Sequence, residues 1–482
     1  MRPRLDGPAG HAPHSATPIS ALPHTPDGLR DAPAVAALFL GVLRRDLLAF
    51  FPHARFEPVD DASPILRAGP NFRLIAAADD DQIELYGVRY RLTLRDGERP
   101  SVHEYGLVRA MGAVLGLRYH HLFQVTSSAR LELYRGGSED HYVAAFVEPS
   151  AYVPPALAPS RIAATIQTLR TAALSTYENH RVSTGALLLG QGHDPFHELP
   201  PTAPDALPYG VELTGLKSIH RLCDGEKTIF LVDRAGKLSG IIDIARWAAE
   251  SSDDPTDDTP CGRTYAPHAK ATRVGGHVCL ILSPNQEIKL FAGGVQAFAF
   301  THGRWRLLDP RAKFASWSQS LADDGLARVL FSAALNLAER RRGALFVILD
   351  EPAKAVGRLI ATSDLLDDNV ASGPPAEIAA HDPLARRALH YLARGRLAQD
   401  LDPAVLEALA SLDGALVLDG SGRLVAFGAI LRHDASDLAA LSAAEGARTT
   451  AALAASRFGA VLKVSEDGVI SCFLKGARAW DL

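Results

Sequence analysis

The residues best suited to chemistry lie near the C-terminus, in GARTTAALAASRFGAVLKVSEDG (446–468). Gly446, Arg448, Thr449 and Thr450 stand just ahead of, or open, an alanine-rich helical run. Helix N-termini expose unpaired N–H groups and a partial positive charge, so this arrangement suits an anion such as a phosphate. The apolar run that follows ends on Ser465, Glu466 and Asp467. Carboxylates at a strand end, where they face that anion, suit the divalent metal that phosphates bring with them. Each feature also has a plainer reading, with Thr449 or Thr450 only capping the helix and Glu466-Asp467-Gly468 only forming a hairpin turn.

The elements that must position these residues repeat a form. GALFVILDEP, DGALVLDGSG and GAVLKVSEDG each carry a short apolar run and then an acid: Asp350, Asp419, and Glu466 with Asp467. Helical segments are expected between them, at Asp382–Ala398 and Ala439–Ser456, with another at Gly325–Arg341 whose Leu326, Val329, Leu330, Ala333 and Leu337 share a face. Strands alternating with helices predict an α/β sheet with ligands at strand ends.

The N-terminal two thirds reads as α+β. A helix is expected from about Pro33 to Phe50, paired strands over Leu74–Gly97, helices over His103–Tyr119 and Ser160–Tyr177, and strands at Leu131–Arg135 and His141–Phe146 around the turn Gly136-Gly137-Ser138. SSDDPTDDTPCG (251–262) is acidic, contains proline and lacks periodicity, which predicts a linker or exposed loop. Two strand-turn-strand units follow it, in His277–Phe291 and Ala297–Asp309. The expected organisation is a disordered tail over 1–30, a domain over 31–262, a β-rich connecting segment over 263–320 and a nucleotide-binding domain over 321–482.

At 482 residues, two or three domains are expected, since about 100–200 residues make one. The formal charge of −5 gives no general argument for nucleic acid or an acidic membrane surface. Four widely spaced cysteines, Cys223, Cys261, Cys279 and Cys472, indicate neither a zinc knuckle nor a disulfide framework, and reduced thiols in a cytoplasmic protein are expected. The first thirty residues lack the apolar core of a signal peptide. No apolar run approaches the ~20 residues needed to span a bilayer. HDPFHE (193–198) holds two histidines and two acids, but Pro195 interrupts any regular helix between them, so a polar loop rather than zinc is expected.

The C-terminal third resembles the diadenylate cyclase domain of the DisA N-terminal type, which condenses two ATP into cyclic di-AMP. The stretches that carry the likeness are AERRRGALFVILDEP, LDGALVLDGSGRLVAFGAIL and EGARTTAALAASRFGAVLKVSEDGVISCFLKG. That family has Asp-Gly-Ala, then Gly-Thr-Arg-His-Arg opening a helix, then Ser-Glu-Glu. Here Asp413-Gly414-Ala415 is intact, Gly446 and Arg448 keep part of the second motif, and Ser465-Glu466 keep most of the third. Ala447, Thr449, Thr450 and Asp467 replace the family's threonine, histidine, second arginine and second glutamate, and the lost histidine and arginine weaken the expected grip on a triphosphate.

The resemblance implies an α/β domain with a C-terminal mixed β-sheet flanked by helices. It also implies a Mn²⁺ or Mg²⁺ ion on Asp413 and Glu466, with Asp413 orienting or deprotonating the 3′-hydroxyl. Gly414 and Ala415 would let the nucleotide approach closely, and Arg448, Gly446, Thr449, Thr450 and Ser465 would surround it. Because the product joins two ATP, a homodimer or larger symmetric homo-oligomer with facing sites is implied. Upstream, LELYRGGSEDHYVAAFVEP, YENHRVSTGALLLG and GGHVCLILSPNQEIKLFAGGVQAFAFTHGRWRLLD look like the probable sensor region of the DACNV class, whose ligand is unknown. Two rival readings remain: a non-catalytic ATP or cyclic-dinucleotide binding module of the same fold, and a same-fold cyclase making another nucleotide.

Overall fold

The computed structural model describes residues 32–59, 73–76, 81–85, 87–94, 100–123, 136–153, 160–197, 203, 205–215, 219, 222–251, 260–366, 390, 393–433 and 446–482. The expected tail, the strand at Leu131–Arg135 and most of the helix at Asp382–Ala398 lie outside them.

The first sheet is antiparallel and comprises β1 (Arg55–Pro58), β2 (Arg73–Ala76), β3 (Asp81–Leu85) and β4 (Val88–Thr93), in the order β1-β4-β3-β2. In β4 buried and exposed residues alternate, as expected for a sheet with one wet face. After a two-stranded ribbon, β5 (Thr176–Tyr177) and β6 (His180–Arg181), comes a seven-stranded sheet. It comprises β7 (Thr184–Leu188), β8 (Thr228–Val232), β9 (Leu238–Asp243), β10 (Val278–Leu282), β11 (Ile288–Ala292), β12 (Val295–Thr301) and β13 (Arg304–Leu307), in the order β13-β12-β11-β10-β7-β8-β9.

This topology corrects the expected domain limits. β10 pairs with β7 across the acidic stretch, so the strands after residue 262 complete a sheet begun before it. One apolar core runs from Leu43 on the first helix (Ala32–Phe50) through Met111 on the second (Val102–Phe123) to Phe298 and Trp305. The first unit therefore extends to about residue 307, whereas Trp317 and Phe314 of the next helix (Pro310–Gln319) pack into the C-terminal core.

A second correction concerns His141–Phe146, expected as a strand and found inside the helix Ser138–Val147. The Asp140 carboxylate accepts from the Gly137 N–H at 3.4 Å, and two acids occupy the first turn, where they complement the helix dipole. The run from Asp140 to Ala145 is buried on every side, which removes the polar positions that would have displayed its period.

The C-terminal unit is a six-stranded mixed sheet: β14 (Ala344–Leu349), β15 (Ala415–Asp419), β16 (Leu424–Ala429), β17 (Gly459–Val464), β18 (Ile470–Leu474) and β19 (Ala477–Asp481), in the order β16-β15-β14-β17-β18-β19. β14 is wholly buried. Phe346 and Ile348 face one core with the helices Asp324–Glu339 and Pro403–Ala410, while Leu345, Val347 and Leu349 face another with the helix Ala447–Ala455. Burial on both faces explains the continuous apolar run. Helices flanking a mixed sheet are the architecture anticipated for this third.

Candidate nucleotide site

Strand direction decides what can meet. β14 runs parallel to β15 (Phe346 beside Leu416) and antiparallel to β17 (Ala344 beside Val464). The starts of β14 and β15 and the end of β17 therefore share one end of the sheet. That end gathers Asp413-Gly414-Ala415, Gly343 and Ser465-Glu466. The helix Ala447–Ala455 leads into β17 from the far end, so its N-terminus, with Gly446 and Arg448, returns to the same place. Asp350 and Asp419 end β14 and β15 at the opposite end, beside Gly459, and do not join the cluster. Asp419 instead organises its hairpin, accepting from the N–H groups of Ser421 and Arg423 at 2.9 and 3.0 Å.

Gly414 has φ +105°, and a Cβ there would lie 2.4 Å from the Gly428 carbonyl carbon on β16. Only glycine combines that dihedral with that approach. Its neighbour Asp413 is consequently set at the sheet margin, exposed. Gly446 is the N-cap, in extended backbone, and Thr449 N–H donates to its carbonyl at 2.9 Å. Arg448 Nη1 donates to Glu466 Oε1 at 3.1 Å, in an exposed pair. Ser465 Oγ donates to Asp467, whose carboxyl burial would raise but which the Ser465 hydroxyl and the Val469 N–H hold below the usual range.

Thr449 and Thr450 differ from their anticipated role. Both are buried, at 5% and 4% exposure, and Thr449 Oγ1 accepts from Lys463 Nζ at 2.9 Å. Counting along the helix, positions 449 and 450 face β17, while Arg448 faces out. Lys463 and Gly343 were missed by sequence reasoning. A Cβ on Gly343 would fall 2.0 Å from Arg448 Nη1, so the guanidinium lies over the bare backbone at the start of β14. A glycine directly before an apolar strand was the available signal for one; a lysine breaking an apolar run was the signal for the other.

Among the described residues, no group of three or more histidines, cysteines or acids could hold a metal by itself. Asp413 and Glu466 are two exposed carboxylates at one sheet end. That donor set fits an ion of the Mg²⁺ kind, which takes one or two carboxylates and completes its shell with water and substrate phosphates.

Residues 331–478 match the profile of the family described as DisA bacterial checkpoint controller nucleotide-binding. This segment is a domain of that family. No curated protein matches the chain. Among solved structures, a hypothetical membrane spanning protein from Bacillus cereus is 22% identical, with 34% of this chain and 65% of that one covered and a TM-score of 0.24. The chain thus spans just under two thirds of that protein's length. A double mutant of DacA from Staphylococcus aureus is 23% identical, with 33% and 86% covered and a TM-score of 0.19. The DisA-type domain holds all the motif residues named above, from Asp413 to Asp467. Among the described residues no helix is long and apolar enough to cross a membrane.

Proposed function

We propose that the chain is a nucleotidyltransferase that condenses two ATP into cyclic di-AMP and releases pyrophosphate. The observation that carries this reading is the convergence of Asp413, Arg448 and Glu466 at one sheet end beside a helix N-terminus, within a DisA-type domain. Arg448, the N–H groups of the helix Ala447–Ala455 and the Lys463 ammonium hold the triphosphate. Lys463 supplies, from the strand, a second cation beside Arg448, where Thr450 stands in place of a second arginine. Gly414 and Ala415 admit the nucleotide against the backbone, and Asp413 orients the 3′-hydroxyl and takes its proton. A bound Mn²⁺ or Mg²⁺, held by Asp413 and Glu466, would neutralise phosphate charge. Were Glu466 to hold that ion, the Arg448 guanidinium now paired with it would turn toward the phosphates.

One such site holds one nucleotide, so two copies must face each other for each 3′-hydroxyl to meet the other's α-phosphate, as in a symmetric dimer. The N-terminal unit regulates this output as a sensor, and the protein works in the cytoplasm.

A second reading, ATP binding without turnover, draws on the burial of Thr449 and Thr450, which withdraws two hydroxyls from the phosphates. Mass spectrometry of products from ATP with Mn²⁺ or Mg²⁺ separates the two. Cyclic di-AMP from wild type and none from Asp413→Asn is expected. Saturable ATP binding with no product, in the full chain and in a variant lacking the N-terminal unit, would establish the second.

A further inference from the structure

Two arginines in the C-terminal unit lie over glycines. Arg448 covers Gly343, and Arg341 covers Gly468, where a Cβ would come 3.1 Å from its Nη1 and 3.3 Å from its Cζ. Gly468 closes the turn that carries Glu466: its N–H donates to the Ser465 carbonyl at 3.0 Å, and the Ser465 N–H donates to the Val469 carbonyl at 2.9 Å. Arg341 therefore rests on the backbone of the turn whose Glu466 pairs with Arg448.

The backbone at Arg341 is unusual for an arginine. It is the second residue past the helix Asp324–Glu339, with φ +54°. Arg342 N–H donates to the Leu337 carbonyl at 2.9 Å and Arg341 N–H to the Ala338 carbonyl at 3.1 Å, the pairing of a Schellman end. That position favours glycine, because a Cβ there crowds the backbone. The arginine side chain leaves its own unit and donates to the Glu287 carboxylate, just ahead of β11 in the seven-stranded sheet. Glu287 is buried, and its other oxygen lies 3.4 Å from Lys289 Nζ, which in turn lies 2.8 Å from Glu339. A charge-assisted hydrogen bond to a buried carboxylate fixes the guanidinium more firmly than an exposed pair does.

We propose that Arg341 is a positioning residue for the nucleotide site, through which the first unit sets the turn that presents Glu466. Glu287 moves with β11, so a shift of that strand draws the guanidinium across Gly468 and takes the turn with it. Two residues after Arg341, Gly343 opens β14 beneath Arg448, so the same displacement reaches both members of the Arg448–Glu466 pair. A cavity of about 80 Å³ between the units, bordered by Glu287, Arg341, Asp467 and Gly468, leaves the turn room on this side. The regulatory part rests on the nucleotide-site reading above, while the mechanical link does not.

Hydrogen–deuterium exchange on the full chain tests the link. Glu287→Ala removes the acceptor on the first unit, leaves Lys289 with Glu339, and should speed amide exchange in residues 465–469 of the other unit by about five-fold or more. Arg341→Gly should do the same, and glycine suits its left-handed backbone, so this variant guards against a folding failure. Because both substitutions break one link, the double variant should exchange no faster than the faster single one. Unchanged exchange in either variant, or effects that multiply in the double, overturns the link. Calorimetric titration with ATP tests the regulatory part: the Mg²⁺ concentration for half-maximal ATP binding should rise about five-fold in both variants, because Glu466 is the carboxylate displaced. Faster exchange with the Mg²⁺ requirement unmoved overturns that part. Wild-type protein that binds no ATP counts against the nucleotide site, and the exchange result still decides the link.

Discussion

Replacing Gly343 with alanine isolates the placement of Arg448 from the stability of the fold. The new methyl would sit 2.0 Å from Arg448 Nη1 and 2.8 Å from Cζ, so the guanidinium must move. It is the mobile end of a long side chain in an exposed pair with Glu466, and such pairs add little to stability. Gly343 shows no positive φ, so alanine fits its backbone and lowers the entropy of the unfolded chain by about 0.4–1 kcal/mol in TΔS. The melting temperature should hold or rise slightly. A hydrogen bond to a charged group is worth about 1.5–3 kcal/mol, so if Arg448 grips the triphosphate, its displacement weakens ATP roughly ten- to a hundred-fold.

Calorimetry with ATP, paired with thermal unfolding, reads both quantities. Gly414→Ala serves as the contrast, because its methyl would strike the Gly428 backbone at 2.4 Å and φ is +105°. It should cost about 2–5 kcal/mol of stability, from the left-handed dihedral together with overpacking. Unchanged ATP affinity in Gly343→Ala would refute the role given to Arg448. A large loss of stability in that variant would show that the glycine serves backbone packing instead.

Residues 193–197 form the expected loop, but its Asp194 and His197 side chains are buried with His277: Asp194 Oδ2 lies 2.9 Å from both His197 Nδ1 and His277 Nε2, which allows a test by pH. Burial alone would raise the Asp194 carboxyl, but hydrogen bonds from His277, the Phe196 N–H and His197 bring it from 3.8 to about 2. A depressed carboxyl stabilises the fold above its unfolded value and loses that contribution as pH falls through the folded one. Asp194 should therefore contribute about 2 kcal/mol above pH 4, fading toward pH 2, and the stability gap between wild type and Asp194→Asn in chemical denaturation should narrow over that window. Glu407, with a 2% exposed side chain, accepts from Asn336 at 2.7 Å, Arg340 at 2.9 Å and Arg263 at 3.1 Å. Glu407→Ala leaves the buried Asn336 amide unmatched while the half-exposed Arg263 and Arg340 rehydrate, and should cost about 1–3 kcal/mol in unfolding, whereas a loss under about 1 kcal/mol would mean water replaces the carboxylate.

Much of this molecule is local and was legible. The hairpins at β10–β11 and β12–β13, the helix Asp324–Glu339, and the strands β14, β15 and β17 follow from runs of apolar residues bounded by turn formers. Arg448 and Glu466 also stood out in sequence, at a helix start and a strand end, and Asp413 through the resemblance of Asp413-Gly414-Ala415 to the diadenylate cyclase motif. What lay beyond reach depended on partners distant in the chain. The direction of β17 against β14 brings Glu466 to Asp413 and sends Asp350 and Asp419 away. The pairing of β10 with β7 merges two expected domains into one sheet. The burial of Thr449 and Thr450, the ammonium of Lys463 on Thr449, the space above Gly343 and the joining of His197 to His277 all arise where separate segments dock. Sequence by itself determined which elements form and which residues could carry chemistry, since backbone conformation and apolar period are set within a few neighbours. Tertiary structure alone decided which of those residues meet, because strand order and direction are chosen by burying whole faces at once.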